Sequence, residues 1–309
     1  MRSEFFYPSC GRGNICAYSW EPDGQIKAVV QIVHGIAEHS RRYDAFASFL
    51  NEHGILVVSE DHMGHGKSWY NDGIKGFFHG GWFSAVEDTY TLMENTMKAH
   101  PGVPYILFGH SMGSFMARTL LAKHPQSGIV GAIICGTAWQ PNALLRLAIP
   151  LSRAFCKKGG DKIPCPALHK LMFGSYNARV EHPRTQYDWL TRDAAIVDQY
   201  IQDSDCGFIA TAGLYADMLT GIDYIQKETT LGQMNMDLPV LFVAGGDDPV
   251  GAYGKGVARA AQAFRDAGVK DVTAKVFPLC RHEILNEINR QEIYDDILTW
   301  ILNKATQKV

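Results

Sequence analysis

Short apolar runs alternate with segments of helical period through both ends of this sequence, and that rhythm leaves few folds open. KAVVQIVHG (27–35) and ILVVSEDHMGHG (55–66) each read as a buried strand ending in a turn. Between them, YDAFASFLNEHG (43–54) carries apolar residues at helical spacing, with Gly54 as a stop. SAVEDTYTLMENTMKAHPG (84–102) continues as helix, VPYILF (103–108) as strand, SFMARTLLAKHP (114–125) as helix and GIVGAIICG (128–136) as strand. After an interval the alternation resumes with PVLFVAGG (239–246), YGKGVARAAQAFRDAG (253–268), VTAKVFP (272–278) and NRQEIYDDILTWILNKA (289–305). Strands that are apolar throughout are buried on both faces. The pattern therefore predicts an α/β fold, a mostly parallel sheet with helices on both sides.

No strand pattern stands between about 138 and 235. NALLRLAIPLSRAFCKK (142–158) is helical in pattern and interrupted by Pro150, and a Pro-, Lys- and Gly-rich stretch follows. QYDWLTRDAAIVDQYIQD (186–203) and FIATAGLYADMLTGIDYI (208–225) read as two further helices. The simplest organisation is one core of residues 1–137 and 236–309 with a helical insertion, 138–235. The insertion is expected over the strand ends, where open parallel sheets bind ligands.

Composition narrows the chemistry. With 309 residues, 46% hydrophobic and 20% charged, the chain has ample material for a core. A net charge of -3 argues against a general nucleic-acid binder, which needs a broad basic face. No apolar run reaches the ~18 residues of a membrane span. MRSEFFYPSC at the start has no long apolar segment, so no signal peptide is expected. Seven cysteines without a Cys-x-x-Cys pair suggest reduced thiols and a cytoplasmic setting.

The strand at 103–108 runs directly into GHSMG (109–113) and then into a helix. This is the strand–turn–helix context in which a serine is held on a strained turn as a nucleophile. Side chains at 109 and 113 would clash there, which gives Gly109 and Gly113 a steric purpose. The turn aims the N–H of Met112 into the site as an oxyanion donor. A serine hydroxyl is a weak nucleophile and needs a base oriented by an acid. LFVAGGDDPVG places an acid at the end of one late strand, and VFPLCRHEILNE places His282 just after the next. Asp248, directly before Pro249, is the preferred acid and Asp247 the runner-up. His34-Gly35 just after the first long strand is positioned as an oxyanion loop. Gly35 allows close approach, Ile36 N–H is the second donor, and His34 supports the turn.

These residues together resemble the α/β-hydrolase fold, and within it the monoglyceride lipase and lysophospholipase-like group. Four stretches carry the resemblance across nearly all of the core: HGIAEHSRRY (34–43), DHMGHGKS (61–68), GHSMGS (109–114) and the Asp248/His282 pair. In the insertion, YDWLTRDAAIVDQY (187–200) followed by CGF (206–208) is similar to the cap of its bacterial members. The resemblance implies a serine carboxylester hydrolase without metal or cofactor, acting on monoacylglycerols, lysolipids or small esters. Thioesterase, amidase or acyltransferase chemistry would use the same machinery, and a non-catalytic binder of the same fold is a further alternative.

Other signals carry less. His282-Glu283 begins like a His-Glu-x-x-His zinc motif, but Asn286 stands where the second histidine belongs. Five histidines between 34 and 65 lie in loops with no adjacent acidic cluster, so no metal is expected. GKGVAR (254–259) lacks the third glycine of a dinucleotide turn. Residues 144–158 interleave Leu, Ile and Phe with Arg146, Arg153, Lys157 and Lys158. That is compatible with a pocket-facing cap helix or with transient contact to an anionic membrane surface. Cys280, two residues from His282, reads as a buried thiol. Acyl length, head group and oligomeric state are left open.

Ile36 departs from the family pattern, in which a small residue often occupies this position. Its side chain is expected to narrow the site in favour of short or slim acyl groups. Ile36→Ala should shift relative hydrolysis rates toward longer acyl chains, checked on a chain-length series of esters. Identical profiles for the two proteins would rule this out.

Overall fold

The computed structural model of the chain describes residues 2–68 and 73–306, with Lys158 described by its backbone alone. The strands are β1 (Arg2–Pro8), β2 (Asn14–Trp20), β3 (Ala28–Val33), β4 (Ile55–Glu60), β5 (Tyr105–His110), β6 (Gly131–Cys135), β7 (Val240–Gly245) and β8 (Val272–Phe277). They form one open sheet in the order β1-β2-β4-β3-β5-β6-β7-β8. Pairing is antiparallel from β1 to β2 and from β2 to β4, and parallel from β4 through to β8.

Alternate residues of the central strands feed two cores. Val29, Val33, Leu107, Ala132 and Ile134 face α2 (Gly81–Ala99), α3 (Met112–Lys123) and α9 (Lys255–Asp266). Val30, Ile32, Ile106, Phe108 and Ile133 face α1 (Asp44–Glu52) and α10 (Arg290–Thr306). Both faces are dry, which is why these strands read as continuous apolar runs rather than as alternation. The sequence-derived fold class is the observed one.

Between β6 and β7 the described residues form α4 (Asn142–Phe155), α5 (Pro166–Phe173), α6 (Ala194–Gln202), α7 (Ala212–Ile225) and α8 (Glu228–Leu231), with one isolated bridge, Pro164 to Thr211, and no strand. α7 packs on α2, α3 and α4, and its buried residues belong to the same apolar cluster as the adjoining sheet face. No helix among the described residues is long and apolar enough to cross a membrane.

Four details differ from the expectation. The β1–β2 hairpin went unread. β1 is an edge strand with almost every side chain exposed, so it carries no burial pattern. Its turn signal, SCGRGN, lies between two β-prone runs, and Gly13 has φ 81°. The helix expected over 186–203 begins only at Ala194. Asp193 caps it by accepting from the N–H groups of Ala195 and Ile196. Ahead of it, Asp188 accepts from the Thr185 hydroxyl at 2.7 Å and from the Thr185 N–H at 2.9 Å, so the backbone is held in turns. Pro150 lies inside α4 rather than ending it, and α5 occupies part of the stretch read as irregular.

The contact between α2 and α7 depends on the absence of a side chain. A Cβ on Gly221 would stand 2.1 Å from the Trp82 ring, and the Trp82 indole is fixed by its N–H bond to Thr119 Oγ1 at 3.1 Å. Gly221→Ala is therefore expected to destabilise the fold by ~1–3 kcal/mol through overpacking. The shift in the urea unfolding midpoint checks it.

Candidate active site

β5 ends at His110 and α3 begins at Met112, leaving Ser111 alone on the turn at φ 54°, ψ −122°. An L-residue adopts such a backbone only when its surroundings impose it. Ser111 N–H donates to Cys135 O at 3.0 Å, and Ser111 O accepts from Ser114 N–H at 2.9 Å and from the Ser114 hydroxyl at 2.6 Å. A side chain on either flanking glycine would collide with backbone. A Cβ at Gly109 would lie 2.5 Å from Gly113 O, and one at Gly113 would lie 2.0 Å from Val33 O.

That missing Cβ at Gly113 lets the end of β3 and the loop after it run alongside the turn. Gly35 itself could carry no side chain. Its Cβ would meet Glu38 Oε1 at 2.7 Å and Ser111 Cβ at 3.1 Å. Ile36 and Ser111 line one cavity of about 310 Å³, at the small end of the ~300–1,000 Å³ usual for ligand pockets. Met112 is the first residue of α3, so its N–H has no intrahelical acceptor and lies beside Ser111. His34 is fully buried. Its Nδ1 lies 2.7 Å from Gly35 O, its Nε2 accepts from His62 N–H at 3.0 Å, and its ring stacks on His62 at 3.9 Å.

The sheet brings the other two residues to the same edge. Asp248 follows β7, and His282 lies in the loop after β8. His282 Nδ1 is 2.9 Å from Asp248 Oδ1, which also accepts from Val250 N–H at 2.9 Å. Both side chains are buried, whereas Asp247 is exposed, so geometry pairs the histidine with Asp248. His282 lines the same cavity as Ser111. Among the described hydrogen bonds none joins the Ser111 hydroxyl to the ring, a contact that often tightens only when substrate is bound.

Electrostatics sorts the histidines. Burial lowers the pKa of His34, aided by His62 and His65, and takes His65 down to about 3. Burial, aided by His282, takes His110 down to about 4. Burial acts the same way on His282, but the charge of Asp248 and its hydrogen bond outweigh it and hold the ring above the ordinary 6.5. Among these four rings, His282 alone is shifted toward the charged form by a carboxylate, while burial shifts the other three toward the neutral form.

Sequence reading missed the insertion's part in this loop. Trp189 O accepts from His282 N–H at 3.3 Å and Leu190 O from Glu283 N–H at 2.7 Å. The Trp189 ring lies 5.2 Å from that of His282. The available signal was the capping pattern Thr-Arg-Asp at 191–193, which places 187–190 in turns. The cavity wall from the insertion is aromatic, with Phe173, Tyr187, Trp189 and Phe208. Cys280 is buried, and burial pushes its thiol pKa up, away from thiolate chemistry.

One trio among the described residues could hold a metal ion. His39, Asp203 and Cys206 offer ligand atoms within 4.8 Å of one another. His39 Nε2 already bonds Asp203 Oδ2 at 2.8 Å. The acidic partner absent from the neighbourhood of the loop histidines in sequence is supplied from 164 positions away.

Comparison with known proteins gives a consistent result. The family model described as serine aminopeptidase, S33, matches residues 24–289. The monoacylglycerol lipase of Mycolicibacterium smegmatis is 28% identical over 98% of both chains. The monoglyceride lipase of Homo sapiens is 26% identical, over 96% of this chain and 88% of that protein. The solved structure of a highly thermostable carboxyl esterase from Bacillus coagulans, in complex with glycerol, superposes with a TM-score of 0.91. It is 30% identical and covers 98% of this chain and 99% of that one.

Asp248→Asn removes the charge that raises the His282 pKa. A base must be neutral, so activity is lost as pH falls through its pKa, and lowering that pKa moves the acid limb to lower pH. The variant is expected to show this shift together with a loss of about 10²–10⁴-fold in kcat/KM. A pH–rate profile on a p-nitrophenyl ester checks both.

Proposed function

The chain belongs to the serine aminopeptidase S33 family of α/β-hydrolases, and from that premise we propose that it hydrolyses carboxylic esters of the monoacylglycerol or lysolipid type through an acyl-enzyme. One observation carries the mechanism: a serine held at positive φ shares a cavity with a histidine whose far nitrogen is bonded to a buried aspartate. Ser111 Oγ attacks the ester carbonyl while His282 Nε2 takes its proton. Ile36 and Met112 N–H groups stabilise the oxyanion, each donor worth roughly 10²–10³-fold. The imidazolium returns the proton to the departing alcohol. Water, activated by the same ring, then splits the acyl-serine into acid and free enzyme. No metal or cofactor enters these steps.

In this reading residues 138–235 are the lid and 1–137 with 236–309 the core. The aromatic wall of the lid takes the acyl chain. An ester fits better than the peptide substrate named by the family description. An aminopeptidase needs a carboxylate to anchor the substrate's ammonium. The carboxylates at this cavity, Glu38 and Glu283, are both engaged by the half-buried Arg42. A relative named for monoacylglycerol and a neighbour that binds glycerol also favour the ester.

The same proposal includes transient membrane contact. Leu144, Leu147, Leu151 and Phe155 are exposed along one face of α4, Leu147 by 74%, with Arg146 and Arg153 exposed beside them. Seven free cysteines are compatible with a reducing cytoplasm.

Turnover on monoacylglycerols and p-nitrophenyl esters is expected for the native protein and is expected to vanish in Ser111→Ala. Stoichiometric labelling by a fluorophosphonate should vanish with it. A native protein that neither labels nor turns over would favour a binding role. Leu147→Asp combined with Leu151→Asp should reduce co-flotation with anionic phospholipid vesicles while leaving turnover of a water-soluble ester intact.

A further inference from the structure

Two buried carboxylates and one largely covered guanidinium stand against this site without a part in the chemistry above. Arg42, Glu38 and Glu283 have side-chain exposures of 10%, 5% and 6%. Arg42 Nη1 donates to Glu38 Oε2 at 2.8 Å and to Glu283 Oε1 at 2.5 Å, and Nη2 donates to Glu283 Oε2 at 2.7 Å. Asn286 Nδ2 completes Glu283 at 2.9 Å. The other oxygen of Glu38, Oε1, accepts from Gly35 N–H at 2.5 Å and from the Tyr43 hydroxyl at 3.0 Å. The Arg42 guanidinium also lies 4.8 Å from the ring centre of Tyr200 in α6, whose hydroxyl donates to Ala37 O at 3.0 Å.

One cation is therefore bonded, through a single carboxylate on each side, to the turn before Ile36 and to the residue after His282. Burying an ionic cluster seldom stabilises a fold beyond what apolar packing would give, so the arrangement requires a positional reason. Geometry supplies one. The planar fork of an arginine fixes both distance and angle between two carboxylates, which a lysine ammonium does not.

We propose that Arg42 is a positioning residue for the reaction, clamping the oxyanion loop to the histidine loop through Glu38 and Glu283. The inference rests on Ser111, Asp248 and His282 acting as proposed above. Its charge has a second consequence. The titratable groups facing His282 are Asp248 after β7, Glu283 beside it, Glu38 from the loop after β3 and His110 from β5, whose ring is 4.7 Å away, while Trp189 of the insertion covers the ring. Asp248 contributes most to raising the His282 pKa, with smaller contributions from Glu283 and Glu38, whose charges Arg42 offsets.

The test uses the full chain, with fluorophosphonate labelling rates at Ser111, pH profiles of kcat/KM on a soluble ester, and near-UV circular dichroism to certify the fold. Arg42→Gln leaves two carboxylates uncompensated. It is expected to slow labelling by about 10–100-fold, the scale of a misplacement of roughly an ångström, and to move the acid limb to higher pH. Arg42→Gln combined with Glu283→Gln should bring the limb back toward that of the native protein without restoring the rate. Arg42→Lys, which keeps the charge and loses the fork, should leave the limb in place and still slow labelling. If Arg42→Gln does not fold, Arg42→Lys and Glu283→Gln carry the test instead. Folded variants that label at the native rate with an unmoved limb would overturn the proposal. A Ser111→Ala protein that still turns over would instead overturn the reading on which it rests.

Discussion

Ser111 is held at φ 54°, ψ −122°, a backbone state that costs an L-residue on the order of 1–3 kcal/mol, and the residues around it exist to sustain that state. The cost is met by burial of β5 and α3 on either side and by three hydrogen bonds to the serine's own backbone. Because the turn is so tight, Gly109 and Gly113 can carry no Cβ, and the room left at Gly113 is occupied by the backbone of β3. The approach of the Gly35–Ile36 loop to the serine follows from the same steric fact. A strained turn and an adjacent set of backbone donors are thus two results of one constraint.

Around that turn the fold distinguishes between chemically identical side chains. His34, His65, His110 and His282 are all buried, and burial alone drives each toward the neutral form. Of these four, only His282 has a carboxylate bonded to its ring nitrogen, and only there does charge outweigh desolvation. The cluster of Glu38, Arg42 and Glu283 belongs to the same balance, because it keeps two further negative charges in the site but spends them on a cation. The insertion takes part through its backbone. Carbonyls of Trp189 and Leu190 bond the N–H groups of His282 and Glu283, so the insertion is tied directly to the loop that carries His282.

Much of this was legible in the residues. The sheet's parallel half was visible because strands dry on both faces are written as unbroken apolar runs. Ser111, Gly109 and Gly113 were visible because a strand–turn–helix with a close backbone approach tolerates few residue types. The preference for Asp248 over Asp247 agrees with its burial beside His282. The β1–β2 hairpin was not legible, since an exposed edge strand has no face to hide and hence no period. The turns at 187–193 carry helical apolar spacing, but local side-chain bonds of Thr185, Asp188 and Asp193 hold the backbone out of a helix there.

What the sequence by itself determined is the set of local commitments: the strands and helices of the two-sided core, where glycine is compulsory, and which serine stands on a tight turn. These depend on neighbours within a few positions, and the chain states them directly. Tertiary structure alone decided the pairings: that Arg42 lies between Glu38 and Glu283, that Asp203 meets His39, and that Trp189 covers His282. Apart from Glu38 and Arg42, which share one loop, such contacts join residues as far as 164 and 241 positions apart. A charge acts through distance and dielectric, and neither exists until the sheet has brought the loops to one edge.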